Sequence, residues 1–230
     1  MTSELPSHSD TRESARRREP IFNALPGVVL VLAAAIIAVT AAQLLGPPDL
    51  YAGLLAAGAL IGGGEYADVP QPYGPLAPLV LHVFLHGGWI HLFINMAAMA
   101  SFGPGVALGL GRGPRGWALF LGFFFACAIG GGLAQELVFW LEDSPGTAIG
   151  ASSALSGFLP AIGYLQGGVG GAVRTSTPWL LINLALAVTG FAIALPIAWA
   201  AHLGGLAAGL VLFPLFMALR APRAPRGTWE

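Results

Sequence analysis

Six apolar windows of 16 to 23 residues interrupt this chain of 230 residues, at Pro26–Leu45, Trp89–Leu110, Trp117–Phe139, Ala151–Gln166, Trp179–Leu195 and Ala198–Leu219. A bilayer core about 30 Å thick is crossed by roughly 20 helical residues. Lipid offers no partner to a bare peptide group, so each window has to satisfy its backbone internally, as a helix. The windows predict an all-α membrane protein, a six-transmembrane-helix bundle. Gly46–Gly88 is too rich in Gly, Pro, Tyr and acid to span and reads as a large first outer loop. Its apolar piece Tyr51–Ile61 is short for a crossing and suits a re-entrant or interfacial segment. Only 9% of residues are charged, against about 25% in soluble domains. A water-soluble fold is excluded.

The arginines test this count. There is no lysine, and all ten cations are Arg. With the N-terminus inside, Arg12, Arg16, Arg17, Arg18, Arg112, Arg115, Arg174, Arg220, Arg223 and Arg226 all fall on one side of the membrane. Asp49, Glu65, Asp68, Glu142 and Asp143 fall on the other. Cytoplasmic loops attract Arg, so both termini are expected to be cytoplasmic. Residues 1–25 read as a disordered cytoplasmic arm, 26–220 as the six-helix membrane domain and 221–230 as a short cytoplasmic tail. Gly27–Leu45 is too long for a signal h-region of about 7–15 residues and reads as an uncleaved first span. The Gly- and Ala-rich, Lys-free composition suits a bacterial inner membrane. Cys127 lies in an apolar run and reads as a packing residue.

Against this apolar ground, polar side chains are costly and mark function or buried pairing. His82, His86, His91 and Asn95 fall in LHVFLHGGWIHLFIN, Ser152 in IGASSALSG and His202 in WAAHLGGLAAG. Counted from the arginine side, His202 lies 18 residues from Arg220 and Ser152 lies 15 from Gly167. At about 1.5 Å per residue these are depths of roughly 27 and 22 Å, so both sit below the outer face. Imidazole can take the proton of a serine hydroxyl near neutral pH. Ser152 follows Gly150 at the start of a short helix, where free N–H groups can hold an oxyanion. His91 and Asn95, four apart, share a helix face and offer further donors. No carboxylate accompanies His202, which favours a dyad over a triad. Taken singly, each residue also fits a bland role. Ser153 and Ser156 can bond a carbonyl one turn back, and His202 beside Gly204, Gly205 and Gly209 can be an interhelical hydrogen bond in a close-packed seam.

Together the three segments resemble the rhomboid intramembrane serine proteases over about residues 75–220. HVFLHGGWIHLFIN is similar to the family's His-x3-His-x4-His-x3-Asn segment, IGASSALSG to its Gly-x-Ser-Gly segment, and AHLGGLAAG to its last Ala-His-x2-Gly-x3-Gly helix. The resemblance implies Ser152 as nucleophile and His202 as general base. It implies His91, Asn95 and the Ser152 backbone N–H as oxyanion donors. His82, His86, Gly150, Gly205 and Gly209 would be structural near the site. It further implies a six-helix bundle with a wet cavity opening outward, and substrates cut near small residues in unwound transmembrane segments. Ser153 stands where the family usually has Gly, Ser156 where an aromatic ring commonly stacks on the histidine, and the first loop lacks a Trp-Arg pair.

Other chemistries fit less well. His82 and His86 lack the Glu of a His-Glu-x-x-His zinc site, so no metal is expected. No aspartate lies in any window, against an aspartyl protease, and no Gly-rich stretch follows a strand, against a phosphate cradle. Glu136 reads as an interfacial residue. Trp89, Trp117, Trp140, Trp179 and Trp199 lie near window ends, like an aromatic belt. The expected partners are the lipid bilayer and transmembrane protein substrates, with no cofactor and no nucleic acid. Two hypotheses remain: a serine endopeptidase acting on membrane proteins, or an inactive relative that binds transmembrane helices. A transporter is a distant third, lacking internal repeats.

Overall fold

The computed structural model describes residues 25–66, 68–143, 145–193 and 197–220. The expected arm, apart from Leu25, and the expected tail lie outside the described residues. Eight α-helices are described: α1 Gly27–Leu45, α2 Pro48–Gly58, α3 Pro78–Leu81, α4 Trp89–Leu110, α5 Gly113–Glu142, α6 Ser152–Ser156, α7 Phe158–Ile193 and α8 Trp199–Ala218. Four of them, α1, α4, α5 and α8, are long and apolar enough to cross a membrane. The chain is an integral membrane protein.

The helix α7 takes in parts of two expected windows and is broken where Gly167 and Gly168 leave helical geometry. Gly168 has φ of +59°, which an L side chain rarely adopts. The expected loop Gly167–Ser176 shrinks to that break, because Val169 already resumes the helix. The expected window Ala151–Gln166 divides instead into α6 and the start of α7.

The segment after α1 departs from an all-α reading. Tyr51–Ile61 divides into the end of α2 and a strand, β1 Leu60–Gly62, which pairs antiparallel with β2 Gly146–Ala148. Leu60 lies opposite Ala148, and Gly62 opposite Gly146. Three residues per strand is too little to stand alone. The ribbon is seated on Leu79 and Phe139, which cluster with Leu60 and Ala148, and it fixes the chain just ahead of α6.

The main core lies between α1, α4, α5, α6, α7 and α8. Phe123 is its hub. The ring faces Phe213 at 5.1 Å edge-on and Phe158 at 6.1 Å stacked. The lipid-facing sides of the helices stay apolar, as Ile90, Phe93, Val188 and Val211 illustrate. Lipid tails match such residues, so the helices associate by close packing rather than by escape from water. Glycine supplies that closeness. A Cβ on Gly205 would overlap the Ser153 carbonyl, and one on Gly209 the Gly157 backbone. On the other side a Cβ at Gly131 would come within 2.6 Å of the Ser153 Cβ. The Gly205-x3-Gly209 seam therefore clasps α6 within this chain, wedging the short helix between α5 and α8.

Arg115 and Arg220 each close the end of a neighbouring helix. Arg115 donates to the Leu219 carbonyl at 2.6 Å, and Arg220 donates to the Gly109 carbonyl at 3.4 Å. These bonds satisfy carbonyls at the C-terminal ends of α8 and α4, which have no intrahelical partner.

Candidate active site

Successive residues of a helix point about 100° apart, so Ser152 and Ser153 face different neighbours. The Ser152 Oγ lies 2.8 Å from Nε2 of His202. The Ser153 Oγ turns to His82, 2.8 Å from its Nε2. The His82 Nδ1 donates to the Pro78 carbonyl at 2.8 Å. A carbonyl only accepts, so Nδ1 carries the proton and Nε2 accepts from the Ser153 hydroxyl. Ser153 is 1% exposed, whereas Ser152 is half-buried and lines a cavity. The hydroxyl in place of the usual Gly is thus committed to His82 rather than to the pocket beside Ser152.

His82 holds this strand of the chain twice, since its own carbonyl accepts the Gly150 N–H at 2.8 Å. It lies between the spans, and burial pushes its imidazole down to about 4. A neutral ring is what the Ser153 bond requires.

Gly150 sits at φ +120°. A Cβ there would lie 2.8 Å from the His91 Nε2, so both the backbone angle and the close approach require glycine. The Gly87 N–H donates to the His91 Nδ1 at 3.2 Å. In the neutral ring this leaves the His91 proton on Nε2, the atom beside Gly150. The Asn95 amide donates to the His91 carbonyl at 3.0 Å, and its nitrogen lies 3.8 Å from that same Cβ position. Among the described residues no side chain caps the N-terminus of α6. His91, Asn95 and the free N–H groups at the start of α6 therefore converge on the turn around Gly150, next to Ser152.

His86 stands behind His91, edge-on with ring centroids 5.0 Å apart. Its anchors were not foreseen from the sequence. Gln43 of α1 brackets its backbone, donating to the His86 carbonyl and accepting its N–H, each at 3.0 Å. The Thr40 hydroxyl donates to the Phe84 carbonyl at 3.1 Å and so accepts from the His86 Nδ1 at 2.9 Å. The His86 Nε2 is buried without a partner among the described residues. Polar Thr40 and Gln43 inside the first apolar run were the available signal.

Asn183 escaped the sequence reading, and Trp179, expected in an aromatic belt, stands beside His202 instead. The His202 Nδ1 lies 2.8 Å from the Asn183 Oδ1. The Trp179 ring lies beside the His202 ring, centroids 5.3 Å apart and tilted 39°. Its indole N–H donates to the Ser156 Oγ at 2.9 Å, and the Ser156 hydroxyl donates to the Ser152 carbonyl at 2.7 Å. The aromatic neighbour expected four residues after Ser152 thus comes from α7 instead, with Ser156 bonding to it. A cavity of about 310 Å³ opens beside Ser152 between α4 and this wall, lined by Ile94, Asn95, Phe102, Leu155, Leu159 and Trp179 among others. Apart from Asn95 and the two serines its lining is apolar.

A family model described as Rhomboid domain matches residues 74–219. Among curated proteins no match is found.

Proposed function

The chain belongs to the rhomboid family, and from that premise we propose that it is a serine endopeptidase cutting peptide bonds in or near transmembrane segments of membrane proteins. One observation carries the reading: Ser152 Oγ and His202 Nε2 stand 2.8 Å apart beside an apolar cavity. The His202 Nε2 takes the Ser152 proton as the oxygen attacks the substrate carbonyl carbon. The resulting oxyanion is met by the Ser152 N–H, the His91 Nε2–H and the Asn95 amide, donors preset for charge that develops only in the transition state. His202 then returns the proton to the leaving amine, and water releases the acyl group by the same steps. His82, His86, Gly150, Gly205 and Gly209 serve as structure around that machinery.

In this reading the domain has six spans, with α7 counted as two, and a large first outer loop. Both termini lie on the arginine side, the cytoplasmic face of a bacterial inner membrane. Purified protein in detergent should cleave a model transmembrane substrate, and Ser152→Ala and His202→Ala should each abolish cleavage. Full activity in Ser152→Ala would overturn the assignment. A folded protein that cuts nothing and takes up no serine-directed probe would make it a helix-binding relative instead.

A further inference from the structure

Asn183 is out of place on its helix. Its neighbours Leu181, Ile182 and Leu184 face outward and are about half exposed, whereas Asn183 is fully buried. A primary amide inside a membrane bundle costs free energy unless its donors and acceptor are used. Both sides of this amide are used. The Asn183 Nδ2 donates to the Trp179 carbonyl at 2.9 Å, and its Oδ1 faces the His202 Nδ1 at 2.8 Å. The Trp179 carbonyl cannot donate, so the amide nitrogen must point that way and the oxygen toward the histidine. An oxygen there fixes the proton on His202 Nδ1. The lone pair is then left on Nε2, the nitrogen facing Ser152.

We propose that Asn183 is the positioning residue of His202, selecting the ring's tautomer and orientation so that Nε2 is ready to accept the Ser152 proton. The site is then a serine–histidine–asparagine relay drawn from α6, α8 and the second part of α7, and not a bare dyad. This rests on the reading of Ser152 and His202 as nucleophile and base. Asn183 touches no reacting atom. Its contribution appears in the rate of serine activation and not in substrate binding. A neutral amide serves in an apolar setting better than a carboxylate, because no isolated charge has to be kept dry. The same division of labour is known in papain-like proteases, where an asparagine orients a histidine that activates a cysteine.

The test uses the full chain in detergent and three variants, each checked for a cooperative thermal transition. Asn183→Leu keeps the volume without an acceptor, Asn183→Ala removes the side chain, and Asn183→Asp keeps an oxygen toward Nδ1. A fluorophosphonate probe gives the rate of serine labelling, and a model transmembrane substrate gives kcat and KM. Losing a tautomer-fixing partner costs between about tenfold and 10⁴-fold in other hydrolases. Asn183→Leu and Asn183→Ala should slow labelling and kcat by roughly 30- to 100-fold with KM changed less than about twofold. Asn183→Asp should recover most of both rates. A folded Leu or Ala variant that labels and cleaves at the parent rate overturns the proposal while leaving Ser152 and His202 in their roles. Equal slowing in the Asp variant overturns it too, since packing alone would then be at work. Failure of the parent protein to label or cleave overturns the assignment of Ser152 and His202, and this proposal with it.

Discussion

Two adjacent serines each bond a histidine Nε2 at 2.8 Å, and in both rings Nδ1 is held by an oxygen, of Asn183 for His202 and of Pro78 for His82. The bonding is the same and the surroundings differ. Ser153 is sealed between α5 and α8, where Gly131 and Gly205 leave room for nothing else. Ser152 borders a cavity and lies next to the turn where His91 and Asn95 converge with Gly150. In the proposed mechanism a serine–histidine hydrogen bond alone does not make a nucleophile; access for a carbonyl and donors placed for its oxygen make the difference. The Ser153–His82 pair reads as a brace holding the start of α6 against α3.

The sharpest way to break that contrast is to delete each hydroxyl in turn. Ser152→Ala should lower the cleavage rate by about 10⁴-fold or more, while Ser153→Ala and Ser153→Gly stay within roughly tenfold. Equal losses in initial-rate assays would dissolve the distinction. Gly205→Val should remove both pairs together, because its side chain meets the Ser153 backbone; the readout is loss of the monodisperse peak in size-exclusion chromatography. On stability the ranking reverses. Ser153→Ala orphans the His82 Nε2 in a buried setting at a cost of about 1–3 kcal/mol, visible as a lower Tm, and Ser152→Ala costs less because that hydroxyl is only half-buried and lines the cavity.

The brace should also weaken in acid. Burial holds His82 near 4 in the folded protein, against an ordinary value of 6.5. The unfolded chain then binds more protons between those pH values, so stability is full above about 6.5 and falls as pH drops toward 4. Melting curves across that range should show the decline, and His82→Gln should make it shallower by the share of one histidine, the other buried histidines remaining. The smallest expected effect is that of Trp179→Phe. It keeps a ring beside His202 and loses only the N–H bond to Ser156, for a few-fold drop in kcat, about one hydrogen bond's worth.

Much of the scaffold was legible because lipid imposes strict rules. The window Trp89–Leu110 coincides with α4. By contrast α5 runs from Gly113 to Glu142, beyond the window Trp117–Phe139, since backbone hydrogen bonds continue past the apolar limit. The β1–β2 ribbon left no pattern in its three-residue strands, and its partners lie far apart in sequence. The motif residues Ser152, His202, His91, Asn95 and Gly150 could be singled out by type and spacing. Asn183 and Trp179 could not, because which face of a helix meets a neighbour is set by packing. The sequence contains Asn183 as a lone amide in an apolar run, the same signal that drew attention to Asn95, yet no nearby motif pointed to it. The exchange of an aromatic at 156 for Trp179, 23 residues on, is a contact that only the folded chain reveals.

The most direct measurement is to treat the intact protein in detergent with a fluorophosphonate probe and locate the adduct by peptide mass spectrometry. The account predicts phosphonylation at Ser152, absent from His202→Ala, with Ser153 unmodified in the folded protein. An adduct on Ser153, or equal labelling once His202 is gone, would contradict it.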